Sequence, residues 1–512
     1  MKNSVVASLL GIALVGQACT GLDSQVFNQA SADKFPASAD ELNSIVGSAY
    51  GQLRYAINSV RTCNEAASDE MVVPTRGPDW FDDGRWQKFA RHDFSSVTPP
   101  QINDAWNYAY TGIAQTNLYL SYLNASTLTI PGKTTTVAEL RTLRAWYYYV
   151  LCDFFGRVPI ITESSPAGSV AQSERKDVFT FIESELKAAL PDLRADISTE
   201  TYGRMTQGAA QALLAKLYIN AEVYTGTARW QDCITACDAV TKLGYKLNSD
   251  FFALFATNNQ SNGANVENII VGVFDKNYAT GNNLTMETLH PTFKAKYSLG
   301  ADSPWNGYAT YADFYGTFAS NDVRKNQWLQ GVQTDKNGSP IIYNDAVTGE
   351  TNKTLNFTPK INSIEKAAQN EGVRLIKYQV QSNLPGNNAD NDWAILRYAD
   401  VLLLKAEASL RLGNTATALT SLNPVRLRAG LAAATALTLD DVLAERGREL
   451  TWEGWRRSDL IRFGKWEGNW TTKSENFNTP FELVSRDPSR RVFPIPATQL
   501  SSNPLLKQNP GY

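Results

Sequence analysis

Apolar positions along the chain recur mainly at helical spacing, and the strongest run lies in the last third. In NDWAILRYADVLLLKAEASLRLGN, residues 391–414, Ile395, Ala399, Leu402, Ala406 and Leu410 share a face, while Arg397, Asp400, Glu407 and Arg411 fall toward another. The pattern predicts an amphipathic helix of about five turns, with Ala399, Ala406 and Ala408 small enough for a second helix to come close. Gly413-Asn414 ends it, and ALTSLNPVRLRAG, residues 418–430, predicts its partner. Thr438 then reads as an N-cap with Asp441 as its capping-box partner. The helix that follows carries Glu445, Arg446, Arg448, Glu449, Glu453, Arg456, Arg457 and Asp459 beside Leu450, Trp452, Trp455 and Leu460. An exposed pair at this spacing adds only about 0.2–0.5 kcal/mol. So dense a ladder among tryptophans predicts helices locked by an organised Arg–Glu network.

Upstream, helical patterns occupy Asp40 to Asn58, Ile102 to Tyr122, residues 137–160, Val178 to Leu190, Thr206 to Tyr224 and Ala228 to Leu243. They predict helix pairs at 102–122 with 137–154, 206–224 with 228–243, and 393–412 with 415–429. Small residues interleaved with Leu213, Leu217, Tyr218 and Trp230 resemble tetratricopeptide-like pairs, without a clean repeat consensus. Between the second and third pairs, residues 250–390 are rich in Asn, Gly, Thr and Tyr and hold short strand-like pieces at Asn268 to Phe274 and Val373 to Tyr378. A stretch this long without helical pattern is uncommon unless it is functional. The fold expected is mostly α: a tetratricopeptide-like helical-pair scaffold with a long irregular, loop-rich insertion containing short strands. Its divisions are 38–249 for the first part of the scaffold with an N-terminal loop region, 250–390 for the insertion, and 391–512 for the return to the scaffold and the C-terminal segment.

Residues 1–18 read as an export segment, with Lys2, an apolar run from Val5 to Val15 and small residues before Cys19. The run is too short to span a bilayer. Ala18-Cys19-Thr20-Gly21 looks like a bacterial lipoprotein processing site, although Gly16 stands where such sites usually have Leu; a plain secretory peptide is the alternative. Cys19 would carry the lipid, and residues 19–37 would be a tether. Cys63, Cys152, Cys233 and Cys237 read as packed small residues rather than a disulfide framework. His92 and His290 are the only histidines, which excludes a histidine-rich metal centre, and the Asn- and Asp-rich loops meet no calcium-loop spacing. No metal or cofactor is assigned. A net charge of -3 gives no footing on nucleic acid. Charged residues make up only 19%, so polar coverage comes from amides and hydroxyls among abundant aromatics, which suits a neutral, hydroxyl-rich ligand as well as an ordinary exported surface.

The chain resembles the SusD/RagB family of outer-membrane nutrient-binding lipoproteins of the Bacteroidetes type, through nearly its whole length. The segments that carry the resemblance are Cys19 with Leu22-Asp23, LRAWYYYVLCDFFGRVPI, WNGYAT with NDVRK, LRYADVLLLKAEASLRLGN, LNPVRLRAG, ERGRELTWEGWRRSDLIRFG at 445–464 and FPIPATQLSSNPLLKQNPGY at 493–512. Pro424 is a departure, since it removes the N–H that would bond back to Thr420 and predicts a kink. The resemblance implies a non-enzymatic protein, lipid-anchored at the outer membrane and facing outside. It would bind oligosaccharide or polysaccharide and deliver it to a SusC-like TonB-dependent outer-membrane transporter, with the scaffold contacting the transporter and the irregular half supplying a glycan site.

Sugar recognition needs an aromatic face for the C–H side of a pyranose and fixed polar groups for its hydroxyls. Two loops offer both. NEAASDEMVVPTRGPDWFDDGRW, residues 64–86, contains Asp79, Trp80, Asp82, Asp83 and Arg85, and residues 303–329 begin with Trp305, Asn306 and Tyr308. Positions matching these loops contribute ligand contacts in parts of the family, so Asp79, Trp80, Asp82, Arg85, Trp305, Asn306 and Tyr308 are the candidate ligand-binding residues. Trp305 and Tyr308, in a Gly-containing loop, are expected to be exposed; Asp82 and Asp83 also read as a solvated turn, and Asp322 with Arg324 as an ion pair. Two other readings remain. Glu65, Asp69, Glu70, Asp82 and Asp83 supply the residue type for a paired-carboxylate glycoside hydrolase. A transporter-associated structural subunit would have no glycan site of its own.

Overall fold

The computed structural model describes residues 36, 38–300, 302–468 and 487–512. The export segment, Cys19 and all of the tether but Pro36 lie outside the described residues. From Pro100 to Lys242 the chain forms a stack of antiparallel helices: Pro100–Ala125 packs on Lys133–Phe154, that on Arg175–Ala189, and Gln207–Ile219 on Trp230–Lys242. After the insertion, Tyr398–Arg411 docks back onto Trp230–Lys242 and pairs with Thr415–Arg428, then packs on Leu439–Leu450. All three helix pairs expected from periodicity are present. Small residues set the close approach. A Cβ on Gly112 would meet the Tyr147 ring at 2.3 Å, so only glycine lets the first pair pack at this distance. Thr438 and Asp441 form the expected capping box, and Cys63, Cys152, Cys233 and Cys237 are free and buried. Pro424 is accommodated inside a helix that continues on both sides of it.

One expected helical stretch is extended instead. Trp393–Arg397 is a strand, paired antiparallel with Asn268–Gly272, and the helix starts only at Tyr398. Every residue of both strands is buried. A strand covered on both faces shows no polar alternation, so its apolar positions merge with the periodicity of the helix that follows. The rest of the insertion is loops, short helical turns such as Leu284–Thr288, Phe293–Tyr297 and Ala312–Gly316, and two-residue strands, among them Trp328–Leu329 with Arg374–Leu375, where a longer strand at 373–378 was expected.

The insertion is fastened to the scaffold by buried charge. Arg397, fully buried, donates to Glu453 at 2.7 and 2.8 Å, to Glu267 at 2.7 Å and to Glu449 at 3.0 Å. Arg324 bonds Glu449 at 3.0 Å and Glu445 at 2.8 Å besides Asp322, the ion pair expected from sequence. Lys377 reaches Glu453 and the carbonyls of Glu449 and Thr451, and Arg428 closes the ring on Glu267 and Glu449. Glu267, Arg324 and Lys377 belong to the insertion, whereas Arg428, Glu445, Glu449 and Glu453 belong to the returning scaffold.

Removing one partner of such a cluster leaves buried charge uncompensated. Arg397→Leu is expected to cost about 3–5 kcal/mol, read as a drop in the denaturation midpoint. Arg194→Leu, which breaks a pair with Asp196 whose side chains are 39% and 48% exposed, is expected to cost at most about 1 kcal/mol. Equal losses would contradict the network's role.

Candidate functional site

Two loops distant in sequence are brought together by backbone pairing. Val72 and Ala309 exchange hydrogen bonds at 2.8 and 2.9 Å, which sets residues 74–85 against residues 304–308. A tight turn follows, in which Arg76 and Asp79 exchange backbone bonds at 2.9 and 3.1 Å. Trp80, Asp82 and Asp83 all have left-handed backbone conformations, with φ of 64°, 45° and 57°. Non-glycine residues in that region store strain, and buried groups hold it here. The Arg76 guanidinium donates to the carbonyls of Gly307 at 3.0 Å and Glu371 at 2.7 Å, tying three loops together. Its burial, with no carboxylate bonded to it among the described residues, lowers its pKa to about 9.

Trp80 is fixed along one edge. Its Nε1 donates to the Trp305 carbonyl at 2.6 Å, and its ring lies so close over Gly307 that a Cβ there would fall 2.3 Å from it. Tyr308 and Trp86 support the indole, with ring centres 5.4 and 5.9 Å away. Trp305 is held in turn by its N–H to the Met286 carbonyl at 2.6 Å. Both tryptophans remain partly exposed and face a pocket of about 480 Å³. Asp79 contributes a carboxylate that makes no bond within the described residues. Asp82 spends Oδ2 on the Trp86 indole N–H at 2.8 Å and keeps Oδ1 available.

Of the seven candidates, Asp79, Trp80, Asp82, Trp305 and Asn306 line this pocket. Asn306 is only 5% exposed, and its amide is already committed. Its oxygen accepts from Arg374 at 2.8 and 3.1 Å, and its nitrogen donates to the Gln369 carbonyl at 2.9 Å. It shapes the wall more than it offers a free group. Arg85 is outside the lining, bonded through Nε to the Asp82 carbonyl at 3.0 Å. Tyr308 was expected at the surface and is 4% exposed, edge-on to Trp86 and Trp452. The chain turns inward at Asn306, whose φ is 52°, and the pairing of Ala309 with Val72 carries Tyr308 into the core.

Arg76 and Gln369 line the pocket and were not singled out in the sequence. Arg76 stands within TRGPDW, where a charged residue between prolines reads as surface; Gln369 arrives from a third loop with no local signal. The oxygen of Gln369 pairs with His290 Nε2 at 3.3 Å, leaving its amide donors for the cavity. Burial lowers the His290 pKa to about 4, so the imidazole stays neutral there.

Glu65, Glu70 and Asp69 are committed to internal bonds away from this pocket. Glu65 and Glu70 are 0% and 1% exposed, and neither lines the pocket. Glu65 accepts from the N–H groups of Gly454 at 2.7 Å and Trp455 at 3.0 Å, and Glu70 accepts from that of Trp452 at 3.2 Å. Asp69 is clamped by both ends of the Arg456 guanidinium at 2.7 and 2.8 Å.

Residues 214–512 match the model described as "SusD family", and residues 33–219 match "Starch-binding associating with outer membrane". The chain belongs to the SusD family. It is accordingly a non-catalytic glycan-binding protein of the class that partners a TonB-dependent transporter. It is 26% identical to the starch-binding protein SusD of Bacteroides thetaiotaomicron over 493 residues, spanning 88% of this chain and 84% of that one. A SusD-like protein from Bacteroides fragilis superposes with a TM-score of 0.73 at 23% identity, covering 94% of this chain and 99% of the other. The surface glycan-binding protein A of Bacteroides thetaiotaomicron in complex with laminarihexaose gives 0.72 at 20% identity, covering 92% and 99%. These two structural likenesses speak to the fold.

Burial raises the Glu65 carboxyl from 4.5 to about 7, against the N–H groups that favour its charged form. Glu70 is raised by burial and then by Glu65. A proton shared by the two carboxyls gives Glu65 Oε2, otherwise without a partner among the described residues, a bond to Glu70. The folded chain thus holds a proton that the unfolded chain releases above pH 4.5. The stabilisation is complete below that value and is lost as pH rises through about 7. Glu65→Gln, which mimics the protonated side chain, is expected to reduce the fall in melting temperature between pH 5 and 8. The slope contributed by Asp392, raised by its burial to about 7, should persist. An unchanged profile would refute the shared proton.

Proposed function

We propose that the pocket between Trp80 and Trp305 is where this protein holds its glycan. Sugar rings lie against the two indoles, while hydroxyls bond Asp79, Asp82 Oδ1 and the amide donors of Gln369. The observation that carries this reading is the convergence on one cavity of two partly exposed tryptophans and a carboxylate with no partner among the described residues. Starch binding in the SusD relative and laminarihexaose in the structural one support glucans as the first ligands to try. A few stacked rings and exchanged hydroxyl bonds give micromolar to millimolar affinity, about −8 to −4 kcal/mol. That is weak enough for release.

Family membership supports the finer assignments as well. Cys19 anchors the chain by lipid to the outer membrane, facing outside, and the SusC-like TonB-dependent transporter receives the glycan. Tethering both proteins to one membrane raises the effective concentration of loaded protein at the transporter without new contacts.

Soluble protein beginning after Cys19 should show saturable heat with a starch or laminarin oligosaccharide and no cleavage products. Trp80→Ala should weaken binding about tenfold or more while leaving the helical circular-dichroism signal unchanged. Undiminished affinity in Trp80→Ala and Trp305→Ala would remove this pocket from the assignment. Product formation would overturn the binding-only function.

A further inference from the structure

A second concavity of about 950 Å³ lies within the insertion, lined by three of its segments, residues 250–262, Tyr297 with Asn326, and residues 376–382. Phe252 and Tyr297, both half-buried, form its aromatic lining, with Asn258, Asn326, Gln379 and Ser382 around them. The side chains of Asn258, Asn326 and Ser382 make no hydrogen bond within the described residues. Gln379 uses its oxygen to accept from the Thr257 N–H at 3.1 Å, which leaves its amide donors free.

The charges in the lining are already answered. The Lys377 ammonium is committed to Glu453 and to the carbonyls of Glu449 and Thr451 at 3.1 Å each. Asp250 accepts from the Phe252 N–H at 2.9 Å through one oxygen, and its other oxygen is a further acceptor for hydroxyls. What the cavity offers is aromatic surface, amides and hydroxyls, with no free cation for an anionic ligand. That is the chemistry of a neutral, polyhydroxylated ligand.

The two cavities are neighbours. Tyr297 and Trp305 pack against the same small core of Met286, Leu299 and Leu384. They lie eight residues apart in the chain, which bounds their separation at about 30 Å even if the segment were fully extended. Tyr297 is braced from behind by Phe293, stacked at 5.9 Å with planes 16° apart, so its position does not depend on a ligand.

We propose that this concavity is a second saccharide subsite, engaging a further stretch of the glycan bound at Trp80 and Trp305. The inference rests on the function proposed above. Two weak sites that engage one polymer raise its apparent affinity over that of a short oligomer, because the second contact forms at high effective concentration.

The experiment compares a short and a long member of the same glucan series, laminarihexaose against laminarin and maltoheptaose against amylose. Each is titrated into wild type, Trp80→Ala, Tyr297→Ala and Asn326→Ala. Tyr297→Ala is expected to weaken the long chain about tenfold and Asn326→Ala to weaken it less, with short-chain affinity at the first pocket unchanged in both. Asn326 is exposed and its side chain makes no hydrogen bond among the described residues, so its replacement tests the subsite even if Tyr297→Ala loosens the core. Wild-type affinity for the long chain in both variants would overturn the inference while leaving the first pocket standing. Loss in these variants with no effect of Trp80→Ala would uphold the second subsite and remove the first. Absence of binding by any of the glucans in the wild type would overturn both.

Discussion

Charge buried at the junction of insertion and scaffold constrains everything else in this molecule. Arg324, Lys377, Arg397 and Arg428 share one enclosed volume with Glu267, Asp322, Glu445, Glu449 and Glu453. Burial by itself would raise the Glu449 carboxyl, but Arg428, Arg397 and Arg324 outweigh it and hold it far below the usual carboxylate range. Arg397 shows the converse: burial lowers it, and Glu453 and Glu449 raise it further than burial can. Each group is tolerable only with the others in place. A buried network of this kind adds little stability relative to an apolar core, and its partners are satisfied in the observed seating of the loop-rich insertion on the stack of helices.

That seating gives the proposed glycan pocket its geometry. With the base of the insertion fixed, residues 304–309 reach the 72–82 loop through the Val72–Ala309 pairing, and Arg76 staples both to the Glu371 backbone. The strained conformations of Trp80 and Asp82 persist because hydrogen bonds and ring contacts over-determine them. The indoles are in place before any ligand arrives, so binding costs little side-chain ordering. A capture protein that must also release its cargo benefits from such a site: rigid enough to select a ring face, shallow enough to let it go.

Periodicity alone made the helix pairs legible, because each helix buries one face and its sequence records that face. It failed at Trp393–Arg397, where burial on both sides of a strand erases the polar alternation that distinguishes it. The Arg–Glu ladder was visible as density of charge among tryptophans, although Glu267, Arg324 and Lys377 enter it from far away in the chain and carry no local sign of doing so. Trp80 and Trp305 could be picked out as aromatics in loops broken by proline and glycine. Tyr308 could not be separated from them, since its burial follows from a left-handed turn at Asn306 and a pairing with residues 230 or more positions earlier. Gln369 left no trace, because its loop meets the pocket only in the folded chain.

The most direct measurement is a crystal structure of the soluble protein soaked with laminarihexaose and, separately, maltoheptaose. A pocket preassembled for glycan predicts a sugar ring lying against Trp80 or Trp305, hydroxyls within hydrogen-bond distance of Asp79 or Asp82, and loops unmoved from their positions without ligand. Ordered saccharide elsewhere on the molecule, with the pocket between the two tryptophans empty, would contradict it.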